Sequence, residues 1–241
     1  MEIAGNLDIE DLDSLGLQLV TALVDQLNGE LELKRNNGTE FTISFTVAGY
    51  DTRAYRTEGL KNIKVFEVDH PDTQRVKIEK VREIFGSLPG HVAYVYLDLE
   101  FDKLGQRLAE GGYNRTGRIL FVMGGLVMYL RPETVDKILS FIAQNSGKGS
   151  TVIFDYGTLG SVNAGETAPD AGKNIRNFTK KRGEPLKFLI RDGEVETFLS
   201  ERVFSRILNM ASEDYKKAYF HGKNESRVVS SVISFAYAVV R

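Results

Sequence analysis

Apolar positions follow one rhythm before residue 47 and another after it. Leu15, Leu17, Leu19, Val20, Leu23, Val24 and Leu27 recur at helical spacing behind Asp11, Asp13 and Ser14. This predicts an amphipathic helix capped at its start and closed by Asn28-Gly29. Two short alternating runs follow, residues 30–35 and 40–47, joined by Asn36-Asn37-Gly38, whose residues tolerate positive φ. They predict a β-hairpin. From Val47 onward, strand-like runs at residues 63–68, 92–97, 118–123 and 151–155 alternate with helical stretches at 72–85, 101–110 and 132–145. That alternation is the mark of parallel strands joined by right-handed crossovers, so the expected class is α/β with a doubly wound, mostly parallel sheet. A short helix at 194–202, a strand at 203–210 and the apolar run 228–240 complete the pattern. The last of these is expected as an antiparallel strand at the sheet edge.

Residues 157–172 are rich in Gly, Ala, Ser and Thr with no apolar period and lead into a basic stretch, 173–187. A lid over a substrate and a plain surface insertion are equally compatible with such a segment. A chain of 241 residues with 42% hydrophobic and 27% charged residues suits a globular domain with a sizeable core. The net charge of -2 recommends neither a nucleic acid nor an anionic membrane as partner. The absence of cysteine removes disulfides, thiolate metal sites and cysteine nucleophiles. His70, His91 and His221 show no metal-ligand spacing, so no metal is expected. With no signal pattern at the start and no membrane-length apolar run, the expected compartment is the cytoplasm.

On a doubly wound sheet a nucleotide-like cofactor lies at the carboxyl ends of the strands, where glycine admits the backbone and an acid ending the second strand bonds a ribose. Gly49 and Asp69 stand at those two places. A single glycine followed by an acid is also what an ordinary turn and a capping aspartate look like.

The runs Ala48-Gly49-Tyr50-Asp51-Thr52-Arg53, Phe66-Glu67-Val68-Asp69-His70-Pro71, Leu97-Asp98-Leu99 and Gly125-Leu126-Val127-Met128-Tyr129-Leu130 narrow the choice. Together, in this order, they resemble the leucine carboxyl methyltransferase family over about residues 47–241. The resemblance implies a class I methyltransferase (Rossmann-like) fold and S-adenosylmethionine as cofactor. It places Gly49 and Asp51 near the methionine and ribose, Asp69 on the ribose hydroxyls, Asp98 and Leu99 beside the adenine, and Tyr129 near the reacting end. Helix capping by Asp51 or Asp98, and core packing of Tyr129, are the structural alternatives. The reaction implied is O-methylation directed at a carboxylate of a small molecule or protein end. An ionised carboxylate needs only alignment and exclusion of water, whereas a hydroxyl or amine acceptor needs a base. His70, Tyr129 and His221 are candidates for that base, unranked. Oligomeric state is not readable.

The first 47 residues depart from that family. Ser14 to Val20, Leu27 to Leu31 and Asn37 to Thr42 are similar to the last helix and hairpin of the ATP-binding domain of sensor histidine kinases. The kinase motifs that hold magnesium and adenine have no counterpart, which makes a kinase fragment the weakest reading. The division expected is residues 1–47, a kinase-like helix and hairpin supplying the first sheet strand, and residues 48–241, a methyltransferase domain without its family's N-terminal cap. Val47 stands where the family places the first glycine of the cofactor turn, and Gly124 where it places a glutamate. At Val47 a branched side chain obstructs the close approach of the cofactor. The glutamate replaced by Gly124 and the basic residues of the family's N-terminal cap are missing charged contacts, each costing about 1.5 to 3 kcal/mol. An impaired enzyme, or an inactive remnant of a gene fusion with the same fold, is therefore the alternative expectation.

Overall fold

The computed structural model describes residues 41–46, 51–159, 179, 185–226 and 232–241. The helix expected at 15–27, the strand at 30–35, the turn holding Val47 and Gly49, and most of 157–187 lie outside the described residues.

Strand β1 (Phe41–Thr46) alternates apolar and β-branched or hydroxyl residues and sits at the centre of the sheet. It is followed by the helical turn α1 (Arg53–Arg56), β2 (Lys64–Asp69), α2 (Pro71–Phe85), β3 (Val92–Tyr96), α3 (Leu104–Glu110) and β4 (Ile119–Gly124). The second half runs α4 (Pro132–Gln144), β5 (Thr151–Thr158), β6 (Leu189–Ile190), α5 (Val195–Ser200), β7 (Phe204–Met210), α6 (Ser212–Tyr219) and β8 (Ile233–Val240). The strand order is β3-β2-β1-β4-β5-β8-β7, with β6 paired to the end of β5. Strands β1 to β5 are mutually parallel, and β8 is antiparallel to both β5 and β7. The order reverses between β1 and β4, opening a crevice at the carboxyl edge where doubly wound sheets take their ligands.

Both edges of β1 are hydrogen-bonded to parallel neighbours, Phe41 facing Lys64 on one side and Ile119 on the other. The final strand corrects an expectation: β8 is antiparallel, but it lies inside the sheet and β7 forms the edge. The edge character is written in β7, which carries Ser205, Arg206 and Asn209 and a register shift between Ser205 and Leu208. Strand β6 and helix α6 were not expected. At Gly157 an added Cβ would lie 2.6 Å from Leu189 Cδ2, so glycine there lets β6 approach β5.

Five consecutive residues of β2, Val65 to Asp69, are buried, as in a central strand covered on both faces. One face of the sheet packs Phe66, Phe121, Phe154 and Ile119 with Leu108 of α3 and Val135, Ile138, Leu139 and Ile142 of α4. The opposite side holds Ala54, Tyr55, Val65, Val81 and Val92 beneath α2. Helix α2 is well delimited. His70 Nδ1 accepts from Asp72 N at 3.3 Å, Pro71 opens the first turn, and Gly86 closes it at φ 76.

Val203, in the turn between α5 and β7, lies in the left-handed region, φ 69, and is 55% exposed. A branched residue there is strained by about 1–2 kcal/mol while burying little. Val203→Gly is expected to stabilise the protein by about 1 kcal/mol in urea unfolding. A loss would show that the valine side chain contributes packing that outweighs the strain.

Candidate active site

The carboxyl ends of β2 and β3 are tied together by a backbone bond from Leu97 N to Asp69 O, 2.9 Å. Asp69, only 9% exposed, ends β2. Its Oδ1 accepts from His70 N at 2.7 Å, while its Oδ2 is buried with no hydrogen-bond partner among the described residues. Burial dominates the electrostatics and pushes the carboxyl pKa up to about 6, against the opposing pull of the His70 N–H. A desolvated carboxylate with an unmet lone pair, at the rim of the switch-point crevice, is arranged to accept from a ligand.

Asp98 follows β3. Its Oδ1 accepts from Glu100 N at 2.9 Å, and its own N donates to Asp102 Oδ2 at 2.9 Å, so it shapes the turn before α3. Its Oδ2 lies 3.8 Å from His70 Nε2. Asp69 and Asp98 are thus brought to either side of one histidine, while the half-buried Leu99 packs against the main core. Across the crevice, Arg131 N donates to Glu100 Oε1 at 3.2 Å and the Arg131 guanidinium pairs with Glu100 Oε2. That pair joins the β3–α3 turn to the start of α4.

Asp51 stands just ahead of α1, and its carboxylate accepts from Arg53 N at 2.9 Å and pairs with the Arg53 guanidinium. Gly49 and Val47 lie outside the described residues. Beyond β4 the chain turns through Gly125 at φ 63 into a short 3-10 turn, Val127–Tyr129. Tyr129 is half-buried, on the β4 side of the switch. Met128 O accepts from Lys187 N and Phe188 N, fastening the strand leading to β6 over this end.

Two groups were missed by sequence reasoning. Asp155, in β5, accepts a bond from Gly125 N to its Oδ1 at 2.7 Å, and burial pushes its pKa up to about 6. Its signal was a lone acid in the otherwise uncharged run Thr151 to Tyr156. The second lies beneath the crevice. Glu67 Oε1 pairs with Lys77 Nζ at 2.8 Å, both side chains almost fully buried, and Glu67 Oε2 accepts from the Tyr55 hydroxyl at 2.7 Å. The Tyr94 hydroxyl lies 3.2 Å from that of Tyr55. Burial raises the Glu67 pKa, with Lys77 acting against it. The acid and base of this network are ten positions apart in different elements, which no local pattern joins.

Among the described residues no cluster of His, Asp and Glu could hold a metal, and no helix is long and apolar enough to cross a membrane.

Residues 45–143 match the leucine carboxyl methyltransferase family. The Bacillus subtilis protein YktD, named "Putative S-adenosyl-L-methionine-dependent methyltransferase", is 26% identical over 193 residues, covering 80% of this chain and 63% of YktD. A Mycolicibacterium smegmatis protein of the same description is 34% identical over 51% of this chain and 39% of its own length. The chain therefore spans less than two thirds of these relatives. Among solved structures, a phosphoethanolamine N-methyltransferase of Haemonchus contortus, bound to S-adenosylhomocysteine, superposes with a TM-score of 0.55 at 13% identity. It covers 92% of this chain and 52% of that one. The carbon-methylating domain of the citrinin polyketide synthase gives 0.56 at 11%, covering 93% and 52%. The fold is that of class I methyltransferases, and neighbours methylating carbon and nitrogen show that the fold alone does not fix an acceptor.

Proposed function

We propose that the chain is an S-adenosylmethionine-dependent methyltransferase whose cofactor lies across the switch point between β1 and β4. The observation that carries this reading is Asp69: its Oδ2 is buried and unpartnered among the described residues at the place where a ribose hydroxyl would donate. The family match over 45–143 and the relatives' names support the same cofactor. Asp69 would hold the ribose, and Asp98 and Leu99 would flank the adenine. Gly49 would admit the cofactor to the backbone, Asp51 would fix α1 beside it through Arg53, and Tyr129 would border the reacting end. When bound, the cofactor supplies an electrophilic methyl group on a sulfonium. The chain's own work is to hold that methyl in line with an acceptor and to keep water out.

Carboxyl-directed O-methylation of a small molecule or protein end is the acceptor class that the family resemblance supports. The kinase-like reading of residues 1–47, the branched side chain of Val47 at a glycine position of the family, and the carboxylate missing at Gly124 support a reduced cofactor affinity. Isothermal titration with S-adenosylmethionine and S-adenosylhomocysteine tests the proposal, with a micromolar Kd expected for both. Absence of binding at millimolar ligand would establish the alternative, an inactive protein that keeps the fold.

A further inference from the structure

The cofactor reading leaves one end of the ligand without a described partner, and the sheet register shows what stands there. Thr46 of β1 is the neighbour of Gly124 in β4, and Met123 of β4 is the neighbour of Phe154 in β5. One step further, Asp155 comes level with Gly124 at the carboxyl edge and on the same face of the sheet. Gly124 contributes no side chain, and a Cβ built on either Gly124 or Gly125 meets no atom of the described residues within 4 Å. Among the described residues, nothing fills the space beside the end of β4. Asp155, partly exposed, leans toward that space, since its Oδ1 is bonded to Gly125 N at 2.7 Å.

The other carboxylates of this edge are differently placed. Glu100 is engaged by Arg131, and Asp69 lies on β2, two strand spacings or roughly 10 Å from β4. Burial raises the Asp155 pKa, and the backbone N–H groups of Gly125 and of Asp155 itself act against it. A desolvated carboxyl is stabilised by a cation brought in from outside. A ligand anchored through its ribose at β2 and extending over β1 and β4 brings its amino-acid arm to this position.

We infer that Asp155 holds the ammonium group at the amino-acid end of the S-adenosyl cofactor, supplying from β5 the carboxylate that Gly124 cannot supply from β4. This rests on the cofactor reading given above. The test compares S-adenosylhomocysteine with 5′-methylthioadenosine, which keeps the adenosine and lacks the amino-acid arm, by isothermal titration of wild type and Asp155→Asn. Asparagine is near-isosteric and retains an acceptor for Gly125 N. The expected result is a loss of about tenfold or more for S-adenosylhomocysteine, with 5′-methylthioadenosine unchanged. Gly124→Glu in the Asp155→Asn background is expected to recover much of the loss, because no described residue fills the space beside Gly124.

Equal weakening of both ligands, or no weakening of either, would overturn the assignment and leave the cofactor reading standing. So would wild type binding 5′-methylthioadenosine no more weakly than S-adenosylhomocysteine. Failure of wild type to bind either ligand would overturn the cofactor reading itself, and the assignment with it. If Asp155→Asn does not fold, Asp155→Ser in the same titration decides the matter.

Discussion

Asp69→Ala is expected to weaken binding of S-adenosylhomocysteine by about 100-fold or more, the largest functional effect predicted for any single residue. Hydrogen bonds to an ionised group contribute about 1.5–3 kcal/mol each, and loss of the two that a carboxylate can accept from a ribose diol reaches that factor. Asp69→Asn separates charge from shape, since it keeps one acceptor oxygen and removes the charge. Its loss is expected to fall between wild type and alanine. The same residue sets a pH dependence with two signs. The folded carboxyl titrates near 6 and its ordinary value is 3.8, so between those values the folded protein holds more protons than the unfolded chain. Stability of the ligand-free protein therefore falls as pH rises through that window and is level above it. Ligand binding runs the other way and strengthens as pH rises through about 6, because the ionised carboxylate is the better acceptor. Urea unfolding and titration calorimetry over the same pH series measure the two slopes. A pH-independent affinity, or an Asp69→Ala protein that binds within threefold of wild type, would remove Asp69 from the site.

Lys77→Met is expected to cost about 3–5 kcal/mol of folding stability, because it leaves the Glu67 carboxylate buried without its cation. Tyr55 still donates to Glu67 Oε2, but one neutral hydrogen bond does not replace a buried ion pair. Glu67 then keeps its proton to higher pH in the folded state than in the unfolded chain. The deficit should accordingly be smallest in acid and grow as pH rises. The double variant Lys77→Met with Glu67→Gln is expected to recover most of the loss, since amide and thioether present no buried charge. A cost below about 1 kcal/mol would mean that the pair behaves as an exposed one, worth little to the fold.

These two residues show what was and was not readable without coordinates. Asp69 was readable as a candidate because its place is local: it ends an apolar strand and precedes a proline-initiated helix, and both signals lie within a few residues. The strands and helices from β2 to β5 were found for the same reason, with ends displaced by a few residues. Lys77 was not identified, since only the packing of α2 on β2 brings it to Glu67. Asp155 was read as the end of a strand that in fact continues to Thr158, so its position beside Gly125 was invisible. The place of β8 was misassigned because alternation of apolar residues does not distinguish an edge from the strand beside it. The polar residues and bulge of β7 carried that information. Helix α6 escaped because only Ser212 and Tyr215 on its surface are buried, too few to form an apolar stripe.

The unmet Oδ2 of Asp69 also bears on how long the protein survives. An empty site with a desolvated carboxyl lowers the free energy that separates the native state from its unfolded forms, and an occupied one restores it. Ligand at 100 times its Kd adds about 2.7 kcal/mol. Since degradation draws on the unfolded population, a chain built this way is expected to be cleared faster when its ligand is scarce. Its abundance would follow supply of the molecule it binds, a dependence visible as a longer half-life under limited proteolysis when S-adenosylhomocysteine is added.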